Sequence, residues 1–417
     1  MKEKNILQKT IENLSDEKDL RRVDKTLKMM AENCTTEEEH RRINQARKSL
    51  RKHKMKLRRR LVTAICLACV LVVFLVISMG VYAAGRFIKK DSKEKTVPNT
   101  KSTVAESETL ALLDEPVEIL LSFTGDCILG TDEYFYYDTS FNAYYENYGS
   151  AYFFQNVKDV FEKDDLTIIN MEGTLTDLTT RKDKQFAFKG NPEYVKVLTN
   201  GSVEAANMAN NHTYDYGEES FKDTVNILEK NKIRTFGDDE TVIIPVKGVN
   251  VGIFGIYELD DHEERIPQVK SDIAKLKKDG ADIIVAVFHW GNELERVPDD
   301  NQVMLAHLAI DEGADVVVGH HPHVLQGIDT YKGKTIAYSL GNFCFGGNYH
   351  PTEMDTMIFQ QKFMIDTSKK ITDSEINVIP CSVSSESDCN NYQPTILEGD
   401  EAKRVRELIQ ERSDQIG

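Results

Sequence analysis

Cysteine is scarce in this chain. Seven thiols serve 417 residues, and only Cys127, Cys344, Cys381 and Cys389 lie beyond residue 85. That density excludes a small disulfide-stapled scaffold. Cys381 and Cys389 are near enough in sequence to close a small loop, but the sequence does not require it. No internal repeat of fixed period appears, which sets aside solenoids and propellers. Large apolar residues are nearly missing from residues 89–109, KKDSKEKTVPNTKSTVAESET, so that stretch is expected to be a flexible stalk. Charge is missing altogether from residues 61–84, LVTAICLACVLVVFLVISMGVYAA.

The uncharged run is the one candidate for a membrane span. As a helix its 24 residues would extend about 36 Å, against a hydrocarbon core of about 30 Å. RKHKMKLRRR precedes it, with seven Lys/Arg in ten residues, whereas only Arg86, Lys89 and Lys90 follow closely. The positive-inside rule therefore keeps the N-terminus cytoplasmic and sends the rest outside. A cleaved signal peptide is the alternative, suggested by VYA at 81–83. The apolar run is too long for it, and so is the segment before it. Charge divides the same way. Residues 1–60 hold 19 basic and 10 acidic side chains, leaving 33 basic and 58 acidic beyond them. The expected organisation is a basic helical cytoplasmic arm (1–60), a transmembrane helix (61–84), an extracellular stalk (85–115) and a folded extracellular domain (116–417). Within the arm, TTEEEHRRINQARKSL opens on a capping-box pattern, Thr36 with Glu39. Too few apolar positions accompany it to form a core, so a solvated arm near anionic lipid is expected.

From about Pro116 the pattern changes. Strand-length apolar runs (117–125, 166–171, 203–209, 249–257, 281–288, 314–319, 334–341) alternate with helical stretches such as 218–231 and 301–313, and the tail 399–415 reads as a closing amphipathic helix. Mostly apolar strands with helices between them predict an α/β domain whose sheets are covered on both faces.

Several of these runs stop at a residue type that binds metal. The first meets Asp126 in FTGDC, the second Glu172 in INMEG, and the third Asn211 and His212 in ANNH. The fifth ends at His289 in FHWG, and the sixth at His320, His321 and His323 in GHHPH. Ligands of open α/β sheets bind beyond the carboxyl ends of strands. Each residue also has a plain reading: a helix cap for Asp126, a solvated turn for Glu172, turn chemistry for Asn210–His212, a packed imidazole for His289. Three histidines in four positions after a buried strand are harder to dismiss. The ordered set predicts a centre for two divalent cations about 3.5–4 Å apart, bridged by a carboxylate. Imidazole and carboxylate together suit Mn, Zn or Fe.

The stretches FTGDCILG, IINMEGTLTD, ANMANNHTYDYG, VFHWGNE, GADVVVGHHPHVLQGI and IAYSLGNFCFGG, in that order, resemble the CapA family of poly-gamma-glutamate capsule biosynthesis proteins. The resemblance covers residues 119–347. It implies a four-layer αββα, calcineurin-like (metallophosphatase-like) sandwich with two metals at one sheet edge. Asp126 would bind one metal, Glu172 would bridge, and Asn211 and His289 would bind the second. His321 and His323 would close the site, with His320 the weaker alternative. His212 would be the general acid and Asp215 would orient it. Three positions depart from the pattern. Ile128 stands where metallophosphatases carry a histidine, Glu172 stands for an aspartate, and Leu294 stands where the capsule-type motif has an aromatic residue.

Three functions follow. One is a membrane-anchored, extracellular, metal-dependent hydrolase or transferase acting on an anionic cell-surface polymer, poly-gamma-glutamate or a phosphate-containing wall polymer. The alternative is a non-catalytic accessory or export subunit of a capsular polymer synthase, which the lost histidine at 128 favours. A structural anchor with a vestigial site is a third, opposed by the intact ligand set. No nucleic-acid partner is expected. The acidic body repels a polyanion, so the metals or Lys182, Lys184 and Lys189 would have to supply local positive charge. A merely solvated loop is the other reading of those lysines.

Overall fold

The computed structural model describes residues 112–416. The basic arm, the apolar run at 61–84 and the polar segment 89–109 lie outside the described residues. No helix among the described residues is long and apolar enough to cross a membrane.

Two sheets carry the domain. The first has the order β17 (Thr395–Ile396), β16 (Ile371–Ser382), β15 (Asp355–Ile365), β1 (Val117–Ile128), β3 (Leu166–Met171), β6 (Ala205–Asn207), β7 (Arg234–Phe236), with β14 (Asn342–Phe345) also paired to β1. From β1 to β7 the pairing is parallel, and β15, β16 and β17 extend it antiparallel. The second sheet has the order β12 (Ile328–Tyr331), β13 (Lys334–Ala337), β11 (Val316–His320), β10 (Ile283–Trp290), β9 (Val249–Glu258), β8 (Thr241–Val246). Its four central strands are parallel. A small third sheet joins β2 (Thr131–Asp132), β5 (Phe188–Gly190) and β4 (Thr174–Leu175).

The apolar runs explain the layering. Alternate residues of each strand fill the space between the two large sheets: Phe123, Ile168 and Phe359 from one, Val251, Val285 and Val318 from the other. The intervening residues face outward and meet helices. Ile169, Met171 and Ala206 pack with residues of α2 (Lys158–Phe161), α3 (Val195–Asn200) and α4 (Glu218–Lys230), while α1 (Phe141–Tyr148) adds Phe141 to the same cluster. Phe254, Ala286 and Phe288 pack with α5 (Ile266–Lys278) and α6 (Asp300–Glu312). The layers are thus helix, sheet, sheet, helix, as the doubly apolar strands require. Val405 and Ile409 of α7 (Gly399–Ser413) join the inter-sheet core. Asp299 caps α6 in a capping box with Gln302, and Gly313 at φ 120° ends it.

The long β15–β16 pair was not among the expected strands. β15 carries Gln360, Gln361 and Lys362 at its middle, and β16 is polar and largely exposed. Pairing supplies what the sequence pattern lacks: Gln360 donates to Ser122 Oγ and accepts from Asn377. The third expected strand shortens to Ala205–Asn207 because Met208 and its successors turn away toward the site. All four described cysteines are free thiols, so Cys381 and Cys389 close no loop.

Gly125 is a packing requirement. A Cβ there would sit 2.2 Å from the Gly341 oxygen, to which the Asp126 N–H donates at 2.9 Å. Gly125→Ala is expected to force β1 from β14 and lower stability by about 1–3 kcal/mol, read from the urea midpoint of the purified protein.

Candidate metal centre

The parallel strands of both sheets end at the same place. Asp126 is on β1, and Glu172 follows β3. His289 is the penultimate residue of β10, and His320 is the last of β11. Asn211 and His212 follow β6, and the His321–His323 turn follows β11. All these residues are buried except Asn211 and His323, which are partly exposed.

Ligand atoms of Glu172, His289 and His321 lie within 4.8 Å of one another, and so do those of Asp126, Glu172 and His323. Glu172 belongs to both sets. Its Oε1 is 4.0 Å from His289 Nε2, 3.9 Å from His323 Nε2 and 3.9 Å from His212 Nε2. Asn211 Oδ1 is 2.8 Å from His289 Nε2, on the first set. The structure therefore brings together all the expected ligands. His320 takes another position: its Nδ1 is 3.3 Å from Asp126 Oδ1, and it belongs to neither set.

The fit to a cation is tested by hydrogen bonding. Glu172 is fully buried, and neither carboxylate oxygen has a partner; His321 Nδ1 is likewise buried and unpartnered. Buried polar atoms are normally satisfied. A carboxylate and an imidazole nitrogen aimed at one small space, both unsatisfied, are what a cation would complete. The electrostatics agree. Burial, with the Asp126 charge adding to it, pushes the Glu172 carboxyl well above the usual range. Burial also acts on Asp126, but the imidazoles of His320 and His323 outweigh it and hold Asp126 well below the usual range. Burial and the neighbouring His321 press His289 well below its ordinary value, and burial brings His321 down to about 3. Burial opposes protonation of His323 too, yet Glu172 and Asp126 raise it to about 10. In the metal-free protein protons are thus drawn toward His323 and Glu172 and away from His289 and His321.

Residues not anticipated from the sequence hold these ligands. Asn170 Nδ2 donates to Asp126 Oδ1 at 2.8 Å and lies 3.2 Å from His289 Nδ1; Asn207 in turn donates to Asn170 Oδ1 at 3.0 Å. Asn342 Oδ1 is 2.9 Å from His323 Nδ1. Asn170 and Asn342 thus each hold candidate ligands from behind, and Asn207 holds Asn170. The alternation of β3 was the available signal, because Asn170 and Glu172 share a face. Glu293 is exposed, with a carboxylate oxygen within 4.8 Å of nitrogens of His321 and His323. His321 (φ 95°), His323 (φ 58°) and Leu294 (φ 63°) hold left-handed backbone, and Leu294 N–H donates to Pro322 O at 2.8 Å. Non-glycine residues adopt such conformations where the surroundings enforce them, often at functional sites.

His212 Nδ1 lies 2.6 Å from Asp215 Oδ2. The carboxylate only accepts, so the proton sits on Nδ1 and Nε2 faces Glu172. Burial holds His212 below the ordinary imidazole range in spite of Asp215. Asp215 also accepts from Phe188 N (2.7 Å) and Lys184 Nζ (2.6 Å), and Lys184 donates to Asn211 O at 3.0 Å. Lys184 is therefore built into the site rather than solvated.

Residues 120–347 match the family described as Bacterial capsule synthesis protein PGA_cap, and the chain belongs to that family. The PGA biosynthesis protein CapA of Bacillus subtilis (strain 168) is 33% identical over 263 residues, 57% of this chain and 66% of that protein. The capsule biosynthesis protein CapA of Bacillus anthracis is 30% identical over 57% of this chain and 62% of its own length. The chain thus spans just under two thirds of each of these relatives. Among solved structures, a 5′-nucleotidase from Candida albicans SC5314 superposes with a TM-score of 0.37 at 12% identity, over 71% of this chain and 57% of that one; this is too loose to carry an activity.

Glu172→Gln separates stability from binding. A buried carboxyl with a raised pKa makes the metal-free protein less stable as pH climbs past the ordinary glutamate range, because the unfolded chain releases a proton that the folded one keeps. The variant should lose that slope and be about 1–3 kcal/mol more stable than the metal-free parent at pH 8. It should also lose the stabilisation that added Mn²⁺ gives the parent. Urea melts with and without Mn²⁺ check both.

Proposed function

We propose that this protein is a membrane-anchored, metal-dependent hydrolase or transferase of the cell surface, with a calcineurin-like centre that acts on an anionic capsular polymer of the poly-gamma-glutamate type. The observation that carries this reading is Glu172, a buried carboxylate without partners shared by two sets of ligands. Asn211, Glu172, His289 and His321 would hold one divalent ion, and Asp126, Glu172 and His323 the other. Bound there, such ions supply Lewis acidity for a water and for the oxygen of a scissile amide or phosphoryl group.

The remaining residues handle protons and position. Asp215 keeps the His212 ring turned so that Nε2, the nitrogen that gives or takes a proton, faces Glu172. Lys184 neutralises Asp215 and, through Asn211 O, ties the loop before β5 to the turn that carries His212. Phe188, with its ring centroid 4.5 Å from that of His212, keeps bulk water off one side of the imidazole. A second reading is supported by Ile128, which is buried against Phe188 and Phe345 where a further ligand would stand. It makes the protein an accessory subunit that binds polymer or synthase without turnover. A relative in Mycobacterium tuberculosis, 28% identical over 43% of this chain, is named "Probable polyglutamine synthesis accessory protein".

Elemental analysis of the detergent-purified full chain separates the two. One to two Mn, Zn or Fe ions per chain, lost in His321→Ala/His323→Ala, support the enzyme; an empty parent grown with ample metal leaves the accessory role. His212→Ala should keep its metal and slow polymer cleavage by about 10²–10⁴-fold, followed by chain-length analysis of poly-gamma-glutamate. The anchor has its own check. The intact chain should stay with membranes through an alkaline carbonate wash, and a chain lacking residues 61–84 should not. Release of the intact chain by the wash would sink the anchor.

A further inference from the structure

Beside His212 the surface carries a rim of aromatic side chains that the metal chemistry does not use. Tyr134 is 75% exposed and Phe186 is 41% exposed. Phe135 meets Phe186 and Phe188 edge-on at 6.1 and 6.4 Å, and Phe186 stacks parallel to Phe188 at 6.3 Å. Phe188 then reaches His212 at 4.5 Å. Aromatic faces therefore lead without a break from solvent to the candidate centre. Exposed, contiguous apolar surface of this kind marks a place of contact.

The rim is also held in place. Asp132, 1% exposed, accepts from Tyr134 N–H at 2.9 Å, from Ala187 N–H at 2.7 Å and from Arg181 at 2.8 Å. Arg181 lies 4.7 Å over the Tyr134 ring. One buried carboxylate thus fixes both loops of the rim, so little ordering is left to binding. Two cations flank it. Lys182 lies over Tyr214 at 5.2 Å and Lys189 over Tyr216 at 5.1 Å; Lys189 also donates to Leu178 O at 2.7 Å, and neither lysine has a carboxylate within ion-pair distance among the described residues. Neither charge is neutralised by a carboxylate, on a body that is otherwise strongly acidic.

Resting on the polymer reading above, we propose that Tyr134, Phe135 and Phe186, with Lys182 and Lys189, form the subsite that seats an amide-linked chain of carboxylates as it enters the centre. Planar amides and the methylenes between them suit aromatic faces, and the side carboxylates suit two lysine point charges. A phosphate chain suits the rim less well. The guanidinium that would grip phosphate bidentately is Arg181, which is committed to Asp132 and to the carbonyls of Lys182, Lys184 and Gln185.

The test titrates the Mn²⁺-loaded full chain in detergent with a hexamer of γ-linked glutamate, by calorimetry, beside polyacrylate of matched charge, which has no amides. Tyr134→Ala/Phe186→Ala removes exposed rings and should leave the fold and metal content intact while raising Kd for the hexamer at least about tenfold. Lys182→Glu should weaken binding and reduce its salt dependence. Equal binding by parent and double variant overturns the subsite and leaves the metal-dependent activity standing. Polyacrylate bound as tightly as the hexamer overturns recognition of the amide. A parent that ignores the hexamer while still holding its metal overturns the subsite and the choice of polymer together, and leaves the metal centre untouched.

Discussion

A carboxylate buried where nothing donates to it is the constraint around which this domain is arranged. Glu172 has no exposed surface and no hydrogen bond, yet three imidazole nitrogens lie about 4 Å from its Oε1. Left ionised, such a group costs the fold stability; left protonated, it is useless as a ligand. Its neighbours form a charge pattern that only a cation, or the proton raised onto His323, can balance. The left-handed turn at His321 and His323 belongs to the same arrangement, with the two ring centroids 5.7 Å apart.

Behind the ligands lies a layer of amides. Asn170 and Asn207 sit between β1, β3 and β6, and Asn342 reaches His323 from β14, next to Asp126 in the register. Amides are uncharged, so they orient carboxylates and imidazoles without changing the net charge that a metal must meet. Ile128 belongs to this pattern of support as well. Its side chain packs with Phe188 and Phe345, both of which touch rings of the site.

Much of this was legible in the sequence. A polar residue that ends an apolar run is visible in one dimension, and Asp126, Glu172, His289 and the histidine cluster all announce themselves that way. The doubly apolar strands foretold two covered faces. What escaped was held by partners far along the chain. β15 and β16 read as poor strands because their glutamines and lysine are satisfied only across the sheet. Asn170 and Asn342 look like unfavourable strand residues until the atoms they hold are known. Lys184 looks solvated until Asp215 is found 2.6 Å away.

The ligands are divided between the two sheets by type. The carboxylates, Asp126 and Glu172, come from the first sheet, while the imidazoles of His289, His321 and His323 come from the second. Neither sheet has a complete site, so an ion held here is a clasp across the sandwich, and its binding energy resists separation of the layers rather than fraying of either one. Scarcity of metal would then cost more than an empty site. It would loosen the mouth end of the sandwich, and a protease would meet a different molecule when the clasp is shut from the one it meets when the clasp is open.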